Sequence, residues 1–478
     1  MAKQRTPSLL EPESRGGDEG QRGFDFQGNF LVSQIPRWLG RDGFVGLLHE
    51  SVGDIEVKMY TPGHGETIEM IEAKNYRLTP AVFWAEIERF YTVDQGSPNT
   101  FSWFRLVSPD ISPELVPLQN GLRRIRSPYG FYPENSGVVA NSLADFCQLV
   151  AAAEKPPEYA DFLYRRVLIE TEYATAQDHG EALFRQNLGE CLLEYSHLSY
   201  QVVSTIYSAL LKLVAPRNTL ITRESIEETI RACVPPDHLR PYAPVGLHTT
   251  YQPEDIERKE LVLDWIRFSG GGSRVYPETE EWNVGVVTPL VEVRQFVLDH
   301  RSTRHVRITG GRRLSAALAI GSVLSATNGF TVAMEQRDGA WWHTNDHAGA
   351  DDAVPMKIEL PRGEHEALIV SIGIPHDIQR AVENYAQKAM LSHLPLLNVA
   401  CTQPIENARQ ANSIVAQTKT AILESLSTTK ASHIHLFCAT PSFVALLLGH
   451  RLNATASVQC YEYVASDSYV PTCLLNNK

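Results

Sequence analysis

The chain has no CxxC pair. Its seven cysteines, Cys147, Cys191, Cys233, Cys401, Cys438, Cys460 and Cys473, are scattered singly, which points away from a zinc site and from a disulfide framework. They read as reduced core thiols of a cytoplasmic protein. No run approaches 18 apolar residues and the first residues lack an apolar stretch, so neither a membrane span nor a signal peptide is expected. A cationic surplus is also missing: 43 Lys and Arg stand against 56 Asp and Glu, a formal net charge of −13. That balance excludes the positively coated surface of a constitutive nucleic-acid binder, so any such binding must be local or conditional. What remains, 478 residues with 43% apolar and 21% charged content, describes two or three domains able to bury sizeable cores.

Residues 1–22, rich in Gly, Glu, Arg, Ser and Pro, are expected to be disordered. From Gly23 the apolar residues fall at helical intervals, with Asp25 able to cap the first turn and Pro36 to bend the helix. Phe44–Glu50 leads into the most informative stretch. Residues 54–60 and 67–73 alternate polar with apolar around Pro62-Gly-His-Gly65, which predicts a β-hairpin. Asp54 opens the first strand and Glu72 closes the second, and period two puts Glu72 and Lys74 on one face. Two carboxylates and an ammonium therefore converge. Mg²⁺ or Mn²⁺, held by Asp54, Glu72 and a main-chain carbonyl, fits such a cluster, and Lys74 can orient water and stabilise charge in phosphodiester hydrolysis. By spacing alone, an exposed hairpin with a solvated Glu and Lys fits equally well. Glu50 is a candidate further carboxylate, and Gln27 on the first helix a candidate amide.

Thr79-Pro80 begins a helix with an apolar stripe at residues 82, 83, 87, 90 and 91, and Asn99–Val107 reads as the next strand. Arg123, Arg124 and Arg126 form a local basic patch for a DNA backbone. Helical patterns fill 141–234, with Thr222 a possible N-cap. Pro235, Pro236, Pro241 and Pro244 mark a linker over 236–255 between a first domain, 23–235, and a second, 256–478.

The second domain contains a repeat. Val306-Arg-Ile-Thr-Gly-Gly-Arg-Arg-Leu-Ser-Ala-Ala-Leu-Ala-Ile-Gly321 aligns without a gap on Ile434-His-Leu-Phe-Cys-Ala-Thr-Pro-Ser-Phe-Val-Ala-Leu-Leu-Leu-Gly449, each a strand, a polar turn and an apolar helix, followed by another strand. Ala367–Pro375 and Pro395–Cys401 add apolar strands of a parallel sheet. Two Rossmann-like units are implied, with a ligand crevice at the carboxyl ends of their strands. Those ends carry Gly310, Gly311, Arg312 and Arg313; Pro375 and His376; and Thr440, Pro441 and Ser442. Trp341 and Trp342 stand nearby to stack a base. Ordinary core for the tryptophans and a helix N-cap for Ser442 are the plain alternatives.

Asp54-x17-Glu72-x-Lys74 resembles the PD-(D/E)xK nuclease core. The paired units, with Tyr461-Glu-Tyr and Tyr469 after the second, look like a SAVED domain, two fused CARF-like units found in CBASS antiphage systems. From about residue 22 onward the chain is similar to the SAVED-containing endonuclease effectors of those systems. That resemblance implies an α/β protein with a restriction-endonuclease-like core and helical extension, then the SAVED domain. It implies an Mg²⁺-dependent double-stranded DNA endonuclease that stays inactive until a cyclic oligonucleotide messenger, often a cyclic trinucleotide in the family, binds the SAVED domain. A partner nucleotidyltransferase would make the messenger, and binding would drive homo-oligomerisation and DNA degradation without much sequence preference. Many members have Gln where Glu72 stands; Glu is the stronger metal ligand. Competing expectations are a modification-dependent restriction enzyme, set against by the net acidic 340–366, and an inert messenger-binding scaffold. A nucleotide-metabolising enzyme is disfavoured by the lack of a dinucleotide fingerprint at the turns.

Overall fold

The structure, a computed structural model, describes residues 12–126, 131–132, 136–171, 173, 177–252, 258–452, 456–465 and 467–476. The chain divides into two compact units, residues 1–241 and 242–478.

In the first unit the elements run α1 (Pro12–Leu39), β1 (Phe44–His49), β2 (Ile55–Thr61), β3 (Gly65–Ala73), α2 (Pro80–Gly96), β4 (Phe101–Val107), α3 (Val116–Arg126), α4 (Gly137–Ala152), α5 (Glu158–Arg166), β5 (Val167–Glu170), α6 (Gln177–Cys191), α7 (Tyr200–Val214), β6 (Leu220–Thr222) and α8 (Arg223–Cys233). Among the described residues they form one six-stranded sheet, β5-β4-β3-β2-β1-β6, in which β3, β4 and β5 run parallel and the other neighbours antiparallel. The hairpin pairs Ile55 with Ile71 and Thr61 with Gly65; its turn needs Gly63 and Gly65 at positive φ. Period two then sorts the strands. Ile55, Val57, Ile71 and Ala73 enter a core with Phe30, Ile35, Phe184, Ile206 and Ile226 from α1, α6, α7 and α8. On the opposite face, Met70, Phe104 and Leu106 pack with Phe83, Ile87, Phe90, Phe146 and Leu163 from α2, α4 and α5. Asp54, Glu72 and Lys74 share the alternation of that second face, so they meet α2.

Several expectations change. Helix α1 begins at Pro12, inside the stretch expected to be disordered, while residues 1–11 lie outside the described residues. The 141–234 region is not purely helical: β5 and β6 extend both edges of the sheet, and four and three residues are too short to show a period. Thr222 is the N-cap of α8, accepting from the Ser225 N–H.

The second unit starts earlier than residue 256. β7 (Val245–Thr250) lies within the expected linker, yet it is a central, largely buried strand. Then follow β8 (Leu261–Asp264), α9 (Thr279–Trp282), α10 (Thr288–His300), β9 (His305–Gly310), α11 (Leu314–Val323), β10 (Thr331–Glu335), β11 (Trp341–His343), β12 (Lys357–Glu359), β13 (Ala367–Gly373), α12 (Gln379–Lys388), β14 (Leu396–Ala400), α13 (Ala408–Thr429), β15 (His433–Ala439), α14 (Ser442–Arg451), β16 (Ser457–Ala465) and β17 (Ser468–Leu475). Among the described residues they build two sheets, β11-β10-β9-β7-β8 and β12-β14-β13-β15-β16-β17, parallel except for the antiparallel edge strands β11, β12 and β17. The repeat closes on itself through its helices. A Cβ on Gly321 of α11 would overlap the Leu446 carbonyl of α14, and one on Gly449 would overlap the Leu318 carbonyl. These glycines hold the same place in each repeat, so the helices meet backbone to backbone across an approximate two-fold axis.

Candidate functional sites

Asp54, Glu72 and Lys74 are brought together. The Ala73 N–H donates to Asp54 Oδ2 (2.8 Å) and the Asp54 N–H to Glu72 Oε1 (3.2 Å), so the two strand ends are laced through their own backbone. Lys74 Nζ donates to Glu72 Oε2 (2.9 Å) and pairs with Glu86 (2.9 Å). These groups line an open cleft of about 410 Å³ together with residues 50–53, Glu86 and Arg89. Behind it, Glu56 accepts from the N–H groups of Val52 (2.8 Å) and Gly53 (3.1 Å) and fixes the loop entering β2.

The electrostatics follow from burial. Desolvation first, then the neighbouring Glu72, push the Asp54 carboxyl up to about 7. Burial also pushes Glu72 upward, but Lys74 and Arg89 outweigh it and hold that carboxyl below its ordinary value. Lys74 is held charged, with Glu72 and Asp54 overcoming its own desolvation. A half-buried carboxylate beside a buried one, the first destabilised by the second, is a donor set that a small hard cation relieves. Among the described residues no group of three or more His, Cys, Asp or Glu side chains can hold a metal. An ion here would therefore take two carboxylates and complete its shell with carbonyl, water or phosphate oxygens, as Mg²⁺ does.

Glu50 lines the cleft but pairs with Arg217 (3.1 Å), so it is a rim acid. Gln27 is not among the lining residues; its side-chain oxygen is buried on α1 without a hydrogen-bond partner. Sequence reasoning missed Glu86 and Arg89. They flank the apolar stripe of α2, three residues apart, on a helix whose Thr79 cap starts it five residues after Lys74. The basic patch is partly spent: Arg126 donates to the carbonyls of Leu163, Tyr164 and Val167.

In the second unit, the turn after β9 is stitched to β7. Thr249 Oγ1 donates to the Gly311 carbonyl (2.8 Å), His248 Nδ1 meets Thr309 Oγ1 (2.8 Å), and Gly310 sits at φ 80° against the Thr249 carbonyl. Arg312 reaches the Gly310 carbonyl with Nη2, while its Nη1 is buried without a hydrogen-bond partner. Burial pushes this guanidinium down to about 10, against Tyr251 and Glu335. An unsatisfied buried guanidinium nitrogen suits an anionic ligand. Arg313 departs from expectation: it donates to the Ser269 carbonyl and lies over the Tyr276 ring, and its main-chain N–H donates to Tyr251.

The two helix N-termini also differ. The start of α11 is filled by the protein's own carboxylate, Glu462 of β16, which accepts from the Ser315 N–H (2.8 Å). At α14, Pro441 takes the cap position, no side chain caps it, and Ser442 is the first helical residue. Thr440 turns its hydroxyl to the Pro441 carbonyl (3.2 Å). Trp342 packs edge-on against Phe443 beside that turn, and Trp341 carries Arg307 over its ring. Pro375 and an exposed His376 follow β13, whose Gly373 pairs with Ala439 of β15, so these turns are neighbours.

Comparison with known proteins finds relatives that span both units. Residues 290–475 match the SAVED family, described as the SMODS-associated and fused to various effectors sensor domain. CD-NTase-associated protein 4 of Acinetobacter sp. is 29% identical over 473 residues, covering 98% of this chain and 99% of the relative. Its counterpart from Moraxella osloensis is 29% identical with the same coverage. Among solved structures, the Acinetobacter baumannii Cap4 SAVED/CARF-domain containing receptor with the cyclic trinucleotide 2′3′3′-cAAA superposes with a TM-score of 0.82 at 26% identity, over 95% of this chain and 98% of that one.

Proposed function

We propose, for a chain homologous to CD-NTase-associated protein 4 and carrying a SAVED domain at its C-terminal end, a messenger-gated, metal-dependent DNA endonuclease of CBASS antiphage defence. The reading is carried by one observation: Asp54, Glu72 and Lys74 converge in a single cleft of a chain that superposes over 95% of its length on a receptor solved with a cyclic trinucleotide.

Asp54 and Glu72 would hold Mg²⁺ or Mn²⁺, which supplies Lewis acidity and a more acidic water. The protein's own contribution is positional. Lys74, kept cationic between Glu72 and Glu86, presents a fixed positive charge where a pentacoordinate phosphate gains negative charge, and it orients the attacking water. The Ala73 and Asp54 backbone hydrogen bonds keep both carboxylates aimed into the cleft. In the second unit, Arg312 with its unsatisfied nitrogen, the open α14 N-terminus and Trp342 are the groups suited to a phosphate-rich ring. A cyclic trinucleotide is the class we assign, and messenger-driven homo-oligomerisation the route to duplex cutting. The deficit of positive charge favours gating, because weakly binding subunits gain DNA affinity only when several act together.

The test incubates purified protein with Mg²⁺, plasmid and a panel of cyclic di-, tri- and tetranucleotides. Cutting should require one of them, and Lys74→Ala should lower the rate about 10²–10³-fold while leaving messenger binding intact. Equal cutting with and without messenger would overturn the gating, and an active Lys74→Ala would overturn the site.

A further inference from the structure

The cleft contains a cation that lies outside the acid-and-lysine motif. Arg89 of α2 spreads its guanidinium over three acceptors: Nε donates to Glu86 (3.0 Å), Nη1 to the Val52 carbonyl (3.1 Å), and Nη2 pairs with Glu72 Oε1. Glu72 is almost fully buried, with 4% of its side chain exposed, so its charge must be compensated from within. Its Oε2 is taken by Lys74, and its Oε1 is shared by the Asp54 N–H and Arg89. Oε1 already carries two donors, so a divalent ion that takes Oε1 must replace the Asp54 N–H or Arg89. The Asp54 N–H is fixed by the hairpin, and Lys74 follows Glu72 on the same strand end. Arg89 alone of the three comes from a separate element, and like Lys74 it keeps Glu86 as an anion when it lets go.

We propose that Arg89 is the resident counter-cation of the cleft, which releases Glu72 Oε1 to an incoming divalent ion and is retained meanwhile by Glu86. The proposal rests on reading the cleft as a metal-dependent nuclease site. Arg89 is then a positioning residue: it compensates the buried Glu72 charge beside Asp54 before the ion arrives, and it sets how tightly the ion binds. Glu86 holds both Arg89 and Lys74, so α2 controls both cations of the site.

Titration of full-length protein with Mn²⁺ by calorimetry at pH 8 tests this. Arg89→Met should tighten Mn²⁺ binding on the order of tenfold, the size of one charge-assisted contact to Glu72 that no longer competes with the ion. Arg89→Lys keeps the charge but loses the planar fork, and should retain at least half of that gain on a logarithmic scale. In the wild type, the side-chain N–H resonances of Arg89 should move when Mg²⁺ is added. Weaker or unchanged Mn²⁺ binding in Arg89→Met would overturn the proposal. So would Arg89→Lys behaving as wild type, since long-range charge alone would then suffice, or Arg89 resonances that stay still. If Arg89→Met fails to fold, the lysine variant and the resonances decide. Should neither wild type nor variants bind Mn²⁺, and Glu72→Gln change nothing, the nuclease reading fails together with the proposal; a wild type that binds and is unaffected by Arg89 sinks the proposal alone.

Discussion

Asp54 is the electrostatically costly residue of the cleft. Its folded carboxyl lies at about 7 against an ordinary 3.8. Between those values the folded chain keeps a proton that the unfolded chain has lost, so the stability it contributes is full below 3.8 and is lost as pH rises through about 7. Glu72 runs the other way, its contribution present above an ordinary 4.5 and fading as pH falls. Asp54→Asn keeps an acceptor for the Ala73 N–H and removes the charge. The metal-free variant should therefore be more stable than wild type at pH 8, by on the order of 2 kcal/mol after discounting for water in the open cleft. Near pH 4 the gap should close. Urea unfolding at both pH values checks this, and a gap that does not change with pH would assign the effect to something other than ionisation. At this scale the motif residues were legible because a strand's period is short and fixed. Arg89 was not, because a cation on a neighbouring helix joins the site only through packing. Arg313 was misjudged for a similar reason: its partner Ser269 is far away in sequence, and nothing local announces that carbonyl.

Among the elements, the contact between α11 and α14 decides the architecture of the second unit. Its two glycines allow carbonyls and Cα atoms to approach where any side chain would collide. Gly321→Ala should cost about 1–3 kcal/mol. The loss should appear in hydrogen exchange as lower protection of α11, α14 and the strands beside them, with β2 and β3 unaffected. The same variant should weaken messenger binding, since the turns at residues 309–313 and 439–442 are the leading ends of these two helices. The hairpin, α2, β4, β13, β14 and both repeat strands could be expected from alternation, capping and apolar runs. β5 and β6 escaped because so few residues carry no periodic signal. β7 escaped because it follows a proline cluster that reads as a linker, while its burial comes from β8 and β9 on either side.

At the scale of the molecule, the proposed function assigns cutting and messenger binding to different units. If the messenger binds within 242–478, saturating a cyclic trinucleotide at about 100 times its Kd should add about 2.7 kcal/mol to the unit that holds it. Hydrogen exchange should show protection rising there first, and Lys74→Ala should leave that rise unchanged. Protection confined to residues 1–241 would place the messenger in the wrong unit. No helix among the described residues is long and apolar enough to cross a membrane.

By itself the amino-acid sequence determined the hairpin with its acids and lysine, the repeated strand–turn–helix and the absence of a metal-binding cysteine pair, because each is written in neighbouring residues or in a fixed period. Tertiary structure alone decided that Arg89 and Glu86 join the cleft, that Glu462 fills one helix N-terminus while no side chain caps the other, and that Gly321 meets α14. Those contacts join residues far apart in the chain, and what selects them is which faces pack together, a property that no local pattern encodes.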